Sequence, residues 1–214
     1  MTRALEMYNW LSEKVKVKKT PSGLTPTIER YIGNLGEKCK EAIASRVNNI
    51  VTKVLSFEKD HSDASNQKKL KDKHNQIVSL YLRVLEDLLI QEEKKTKSPN
   101  YFEILNNDSF HKALIACSIE TVNFVMNSTN VSFVKLLDIC ECQAFEFWRI
   151  IGSFMKFDPQ MPYPIKKNLH DLELKIFMCL AWKKDSIVHQ LIKNLADESN
   201  ANSNQMSTIY SNWI

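Results

Sequence analysis

"FHKALIACSIETV", residues 110–122, brings a histidine, a cysteine and a glutamate into one short stretch. At about 100° per residue on a helix, His111 and Cys117 point roughly 120° apart, so they cannot share a ligand or a proton. Phe110, Leu114, Cys117 and Thr121 instead follow the spacing of one buried helical stripe. Cysteine on such a stripe behaves as a small apolar residue. A reactive thiol would need a cationic, exposed niche that the stripe does not offer. The stretch reads as scaffold, a core helix of an all-α protein.

The same periodicity continues in both directions. Ala4, Tyr8, Leu11 and Val15 mark a first helix, which Pro21 and Gly23 interrupt. Thr25 suits an N-cap with Pro26 at the first helical position, opening a short helix to about Leu35. Cys39, Ile43, Val47, Ile50, Val54 and Phe57 form the next stripe, and EKDHSDASN after it reads as a polar loop. The longest helix runs from about residue 67 to about 95, with Leu70, Ile77, Tyr81, Val84 and Leu88 on one face. NYFEILNN supplies a single turn or short helix. Further on, VSFVKLLDIC and QAFEFWRIIGSFMKF are amphipathic. Gly152 in the latter costs about 1 kcal/mol relative to alanine, which suggests the close approach of a neighbouring backbone. Ile165, Leu169, Leu172, Ile176, Cys179 and Leu180 carry a helix to Trp182, and DSIVHQLIKNL restarts after Asp185. The tail ESNANSNQMSTIYSN is polar and low in complexity, and reads as disordered or a linker. No strand pattern competes and no helical repeat recurs cleanly, so the expectation is one all-α bundle of about eight to ten helices.

Composition narrows the function. A chain of 214 residues with 43% hydrophobic and 25% charged residues has an ordinary globular balance. No apolar run reaches the roughly 18 residues of a membrane span, and no secretory signal is visible. Five cysteines, an odd and unpatterned set, point to free thiols in a reducing compartment. The net charge of +4 is mild and its lysines are scattered, unlike the one-faced charge of nucleic-acid binders. Four glycines are too few for a phosphate-cradling loop.

Catalytic chemistry finds no purchase either. Cys140 and Cys142 lack the second pair or the His-x3-5-His partner of a zinc site, and read as helix-end packing. His111 and His170 read as capping or packing residues. Glu92-Glu93-Lys94-Lys95 looks like a salt-bridged helix end. With no GxSxG or HExxH, neither an enzyme nor a cofactor is expected. Thr20-Pro21, Thr25-Pro26 and Ser98-Pro99 read as prolines that start or stop helices, although proline-directed kinases use the same dipeptides.

Four blocks, LYLRVLEDLLIQEE, ILNNDSFHKALIACSIETV, AFEFWRIIGSFMKF and LHDLELKIFMCLAWKKDS, resemble the A half of the pocket in retinoblastoma-type proteins. The family pattern there is a YYRVLE-type helix, an FH-x-x-L-x-AC-x-x-E-x-V helix, an AF-[DE]-[FL]-x-K-V-I-x-S-F-I helix and a final L-x-x-x-E helix ending in [AV]-W. Each is a common sort of helix; all four in the right order and at sensible spacing are specific. The likeness runs from about Thr25 to Leu195, and the first helix with Trp10 fits as well. The expected organisation is an N-terminal helix and linker (1–24), a retinoblastoma-type A domain (25–196) and a polar tail (197–214).

The resemblance implies a cyclin-like, non-catalytic, nuclear interaction module. Its A half packs on a cyclin-like B half, in the same chain or another. The groove between them grips the activation segment of E-two-factor family transcription activators, restraining S-phase transcription and cell-cycle progression as tumour suppressors do. Cell-cycle kinases are implied modifiers; sequence-specific DNA binding and membrane attachment are not implied. A second groove, for Leu-x-Cys-x-Glu peptides, belongs to the B half. Matched groove positions fall on Arg46 in ASRVNNIV and Glu86 in YLRVLEDLL, with Arg83 a turn before. An acidic segment needs a fixed cation, and arginine can hold a carboxylate bidentately. Ile90 and Glu103 stand where related chains carry basic residues, lowering the positive charge such a segment would meet. Phe145, Phe154, Phe157 and Trp182 are candidates for the face that a B domain covers, and without it the chain should self-associate. Two other functions share the fold. TRALEMYNWLSEKV is similar to the entry helix of a kinase-activating cyclin, though one residue out of step and without an identifiable lysine–glutamate clamp. A general transcription factor core would need a basic face.

Overall fold

The computed structural model describes residues 2–33, 37–59, 67–95, 101–128, 130–180, 182 and 186–196. Apolar stripes at helical spacing become helices where neighbouring stripes can cover them. The elements are α1 (Arg3–Lys14), α2 (Pro26–Ile32), α3 (Glu37–Lys59), α4 (Gln67–Lys95), α5 (Tyr101–Asn106), α6 (Asp108–Val125), α7 (Phe133–Ile139), α8 (Ala144–Lys156) and α9 (Tyr163–Lys175). A π-helical turn, Ile176–Leu180, extends α9, and α10 follows over 187–196. No strand occurs among the described residues. The fold is all-α and consistent with the cyclin-like class.

Residues 110–122 lie at the centre, within α6. α6 packs against α4 and α8, with α1, α3, α7 and α9 around it. Its burial is not confined to one stripe: His111, Ile115 and Ile119 are covered as fully as Leu114, Cys117 and Thr121, while Phe110 is only half-buried. A helix enclosed on all sides must satisfy its own polar groups. Ser118 and Thr121 do so by donating to the carbonyls of Leu114 (2.9 Å) and Cys117 (2.8 Å). Asn107 caps its start by accepting from the N–H of Phe110 at 3.0 Å.

Local chemistry explains the other boundaries. Thr25 accepts from the Ile28 N–H at 3.2 Å with Pro26 at the first helical position. α2 ends at Ile32, where Gly33 adopts φ 40°; Leu35 lies outside the described residues. The cysteine pair is a helix terminus. The Glu141 N–H donates to Asp138 O (3.1 Å) and the Cys142 N–H to Leu137 O (2.9 Å), with Glu141 at φ 51°, a Schellman arrangement. Burial pushes both thiols up to about 12. Among the described residues no group of histidine, cysteine and carboxylate side chains could hold a metal ion.

Several expectations need correction. Ala4 and Tyr8 are exposed and Val15 is half-buried; α1 instead turns in Trp10 and Leu11, because the Trp10 indole donates to Asp158 at 2.7 Å. Glu58 is helical and 2% exposed rather than part of a loop. Cys179 is exposed: the wider π turn changes the phase of the stripe, so Leu180 follows Ile176 into the core. His170 is not a packing residue but lies exposed, 3.1 Å from Glu173. No backbone approaches Gly152, where an added Cβ would meet nothing within 4 Å. Gly152→Ala is therefore expected to raise stability by about 1 kcal/mol, read as a higher urea midpoint at unchanged slope. Ser98-Pro99, Asp185 and the tail from 197 lie outside the described residues.

Candidate functional site

Three of the side chains marked by sequence fall in two separate places. Arg46 reaches from α3 to the first turn of α6, its Nε donating to Asp108 Oδ1 at 2.9 Å. Lys112 holds Asp108 Oδ2 at 2.9 Å and Glu141 Oε2 at 3.0 Å, and Lys53 approaches Glu141 at 3.4 Å. This ladder ties α3 and α6 to the end of α7. The Lys112 hydrogen bond, with Arg46 behind it, holds the Asp108 carboxyl below its ordinary range. Arg46 thus already has a carboxylate of its own chain, and its Nη1 is buried without an acceptor among the described residues. At 20% side-chain exposure, Arg46 braces one helix against the other.

Beneath it lies a buried polar chain. His111 is fully buried, its Nδ1 2.8 Å from the Tyr81 hydroxyl and its Nε2 2.9 Å from the Leu105 carbonyl. A carbonyl can only accept, so Nε2 carries the proton and Tyr81 donates to Nδ1. Burial first, and then the Arg46 charge, depress the imidazole to about 4.

Arg83 and Glu86 sit on α4 and face each other at 4.0 Å, Arg83 half-exposed and Glu86 mostly covered. Ile90, three residues beyond Asp87, is partly buried against the core, so its apolar character serves packing rather than ligand charge. Glu103 is exposed on α5, where it lines a groove with Leu88, Glu92, Ile104 and Phe110.

The docking candidates also divide. Phe154 is fully buried and Phe157 nearly so. Their rings meet at 5.6 Å, and Phe157 lies 6.2 Å from Trp10. Both fill the chain's own core, which removes them from any free surface. Phe145 is half-buried and stacks on Trp148 at 5.4 Å. Trp182 is 50% exposed, its indole donating to the Phe177 carbonyl at 2.8 Å. Sequence reasoning missed its exposed neighbours in the chain: Leu174, Phe177 (60%), Met178 (75%), and on α10 Leu191, Ile192 and Leu195. The signal was there: Ile176 to Trp182 is apolar without interruption, more than one helix face can bury.

Thr25 is buried in its cap. Thr20 and Ser22 both donate to Glu29 Oε1, at 2.7 and 2.6 Å. Those bonds, Ser22's first, hold the Glu29 carboxyl below its ordinary range.

The chain matches the family model of the retinoblastoma-associated protein A domain over residues 1–192. It is 22% identical over 196 residues to a retinoblastoma-related protein of Oxybasis rubra, covering 87% of this chain and 19% of that one. Retinoblastoma-related protein 1 of Triticum aestivum is 30% identical over 112 residues, 52% of this chain and 12% of that protein. Retinoblastoma-like protein 2 of Homo sapiens is 26% identical over 170 residues, 78% of this chain and 15% of that protein. The chain therefore spans a fifth or less of the length of the relatives it matches.

Proposed function

Because the chain belongs to the retinoblastoma-associated protein A-domain family, we propose that it is the non-catalytic A-type lobe of a nuclear corepressor, completed by a B-type lobe. The observation that carries this reading is the exposed apolar run through Leu174, Phe177, Met178 and Trp182. Half of an obligate interface resembles a core cut open, and aromatic side chains supply most of the energy of such contacts. In this reading the B-type lobe covers the π turn and α10. The acidic activation segment of an E-two-factor family activator then meets α4 beside Arg83 and Glu86, while Arg46 acts through Asp108 by keeping α6 in place. Regulated S-phase transcription is the process served.

The test replaces two exposed side chains that contribute little to the lobe itself. Phe177→Glu with Met178→Glu should leave the circular dichroism and melting temperature unchanged, abolish self-association, and weaken capture of a B-type lobe from a retinoblastoma-related protein by more than about a hundredfold, the equivalent of nearly 3 kcal/mol. Undiminished capture would sink the reading. Once the two lobes are joined, Arg83→Glu should weaken an activation-segment peptide by about tenfold in fluorescence anisotropy.

A further inference from the structure

Between the second half of α6 and the start of α7 is a recess of about 290 Å³, lined by Glu120, Asn123, Phe124, Ser132 and Phe133 among others. Glu120 and Asn123 are three residues apart, so they share one face of α6. Asn123 is 4% exposed, and its Oδ1 has no hydrogen-bond donor among the described residues. Burying an acceptor without a donor is costly, and native folds rarely leave one so. Glu120 faces Asn168 and Lys175 of α9, yet burial outweighs both and pushes its carboxyl above the ordinary range. The recess thus offers the Glu120 carboxylate beside an amide oxygen that has no donor among the described residues. Its walls are aromatic, with Phe133 fixed edge-on against Phe147 at 5.0 Å.

We propose that this recess receives the guanidinium of an arginine side chain from a partner polypeptide. Two acceptors on one helix face suit a planar fork of N–H donors better than a single ammonium. A guanidinium is also more weakly hydrated, so it loses less on entering an aromatic-walled recess, and the phenyl faces add cation–π attraction. The volume sits at the lower limit of small-molecule sites, about 300 Å³, and fits one side chain. The site lies between α6 and α7, with Asn168 and Lys175 of α9 facing Glu120.

Amide chemical shifts of the ¹⁵N-labelled full chain test this with three probes: N-acetyl-arginine methylamide, its neutral isostere N-acetyl-citrulline methylamide, and N-acetyl-lysine methylamide. The arginine probe should move the amides of Asn123, Phe124 and Ser132 saturably, and the other two should bind at least about tenfold more weakly. Glu120→Gln, nearly isosteric, should weaken the arginine probe by about tenfold while leaving distant amides in place. If that variant misfolds, Phe124→Leu serves instead and should weaken the same probe severalfold without touching the carboxylate. Citrulline binding as well as arginine, lysine binding better, or arginine binding indifferent to these substitutions would each overturn the assignment. So would the absence of saturable shifts at tens of millimolar probe.

Discussion

Glu58→Ala is expected to destabilise the chain by about 3–5 kcal/mol, a large share of the roughly 5–15 kcal/mol that holds a domain folded. Lys73 donates to both oxygens of Glu58 at 2.7 Å and to Ser128 at 3.1 Å. The two side chains are only 7% and 3% exposed. Removing the carboxylate strands an ammonium where burial already lowers the Lys73 pKa despite the partner. The lysine must then lose its proton or drag water inward, and either route costs stability. Chemical denaturation at neutral pH should show the loss as a lower midpoint. The double variant Glu58→Leu with Lys73→Met carries the sharper discrimination. Replacing both charges with apolar groups of similar volume should recover most of the loss, since buried pairs seldom outperform such replacements. A single variant within about 0.5 kcal/mol of the parent would show that the pair is solvated.

Acidification should remove about 3 kcal/mol through His111 alone. Its folded pKa of about 4 lies below the ordinary 6.5, so the unfolded chain takes up a proton that the fold refuses. The sign follows: this contribution is fully present above about 6.5, declines as pH falls, and is exhausted below about 4. Protonation would set an N–H against the Tyr81 hydroxyl hydrogen and a second cation beside Arg46. Asp108 offers some relief. His74 is depressed in the same direction by burial, whereas Glu120 works the opposite way, its raised pKa favouring the fold as acid is added. The difference between the parent chain and His111→Gln isolates one residue from these. The glutamine variant should be weaker at pH 7 and shallower in its stability profile between 6.5 and 4. Parallel profiles would refute the assignment.

What sequence could tell about this chain depended on whether a signal was local. Thr25 with Pro26 and the reach of α4 were legible because caps and periodicity are written in adjacent residues. Cys117 was legible for the same reason, its stripe being continuous. Which side of α1 faces inward was not, because that is decided by Asp158, far along the chain. The Glu58–Lys73 pair left a clue. Lys73 lies between Leu70 and Ile77 on the apolar face of α4, and Glu58 follows Val47, Val51 and Val54 at helical spacing. Two opposite charges on two core stripes are a pairing signal, but only once the helices are known to be neighbours. The Arg46–Asp108 pair was hidden for a related reason: a family position identifies a residue without saying which carboxylate of its own chain lies beside it. The phase change at Ile176–Leu180 has no compositional mark, so Cys179 was placed on the wrong side.

The anchoring of Trp10 and Lys14 on Asp158, at 2.7 and 2.9 Å, bears on how the protein is born. A ribosome releases the first helix long before the aspartate that receives it, 148 positions later, has been synthesised. During that interval the indole can donate only to water or to other parts of the chain. α1 is thus seated only once Asp158 has been made, and slowing translation between the two should lengthen the time over which a nascent chain stays sensitive to protease at α1.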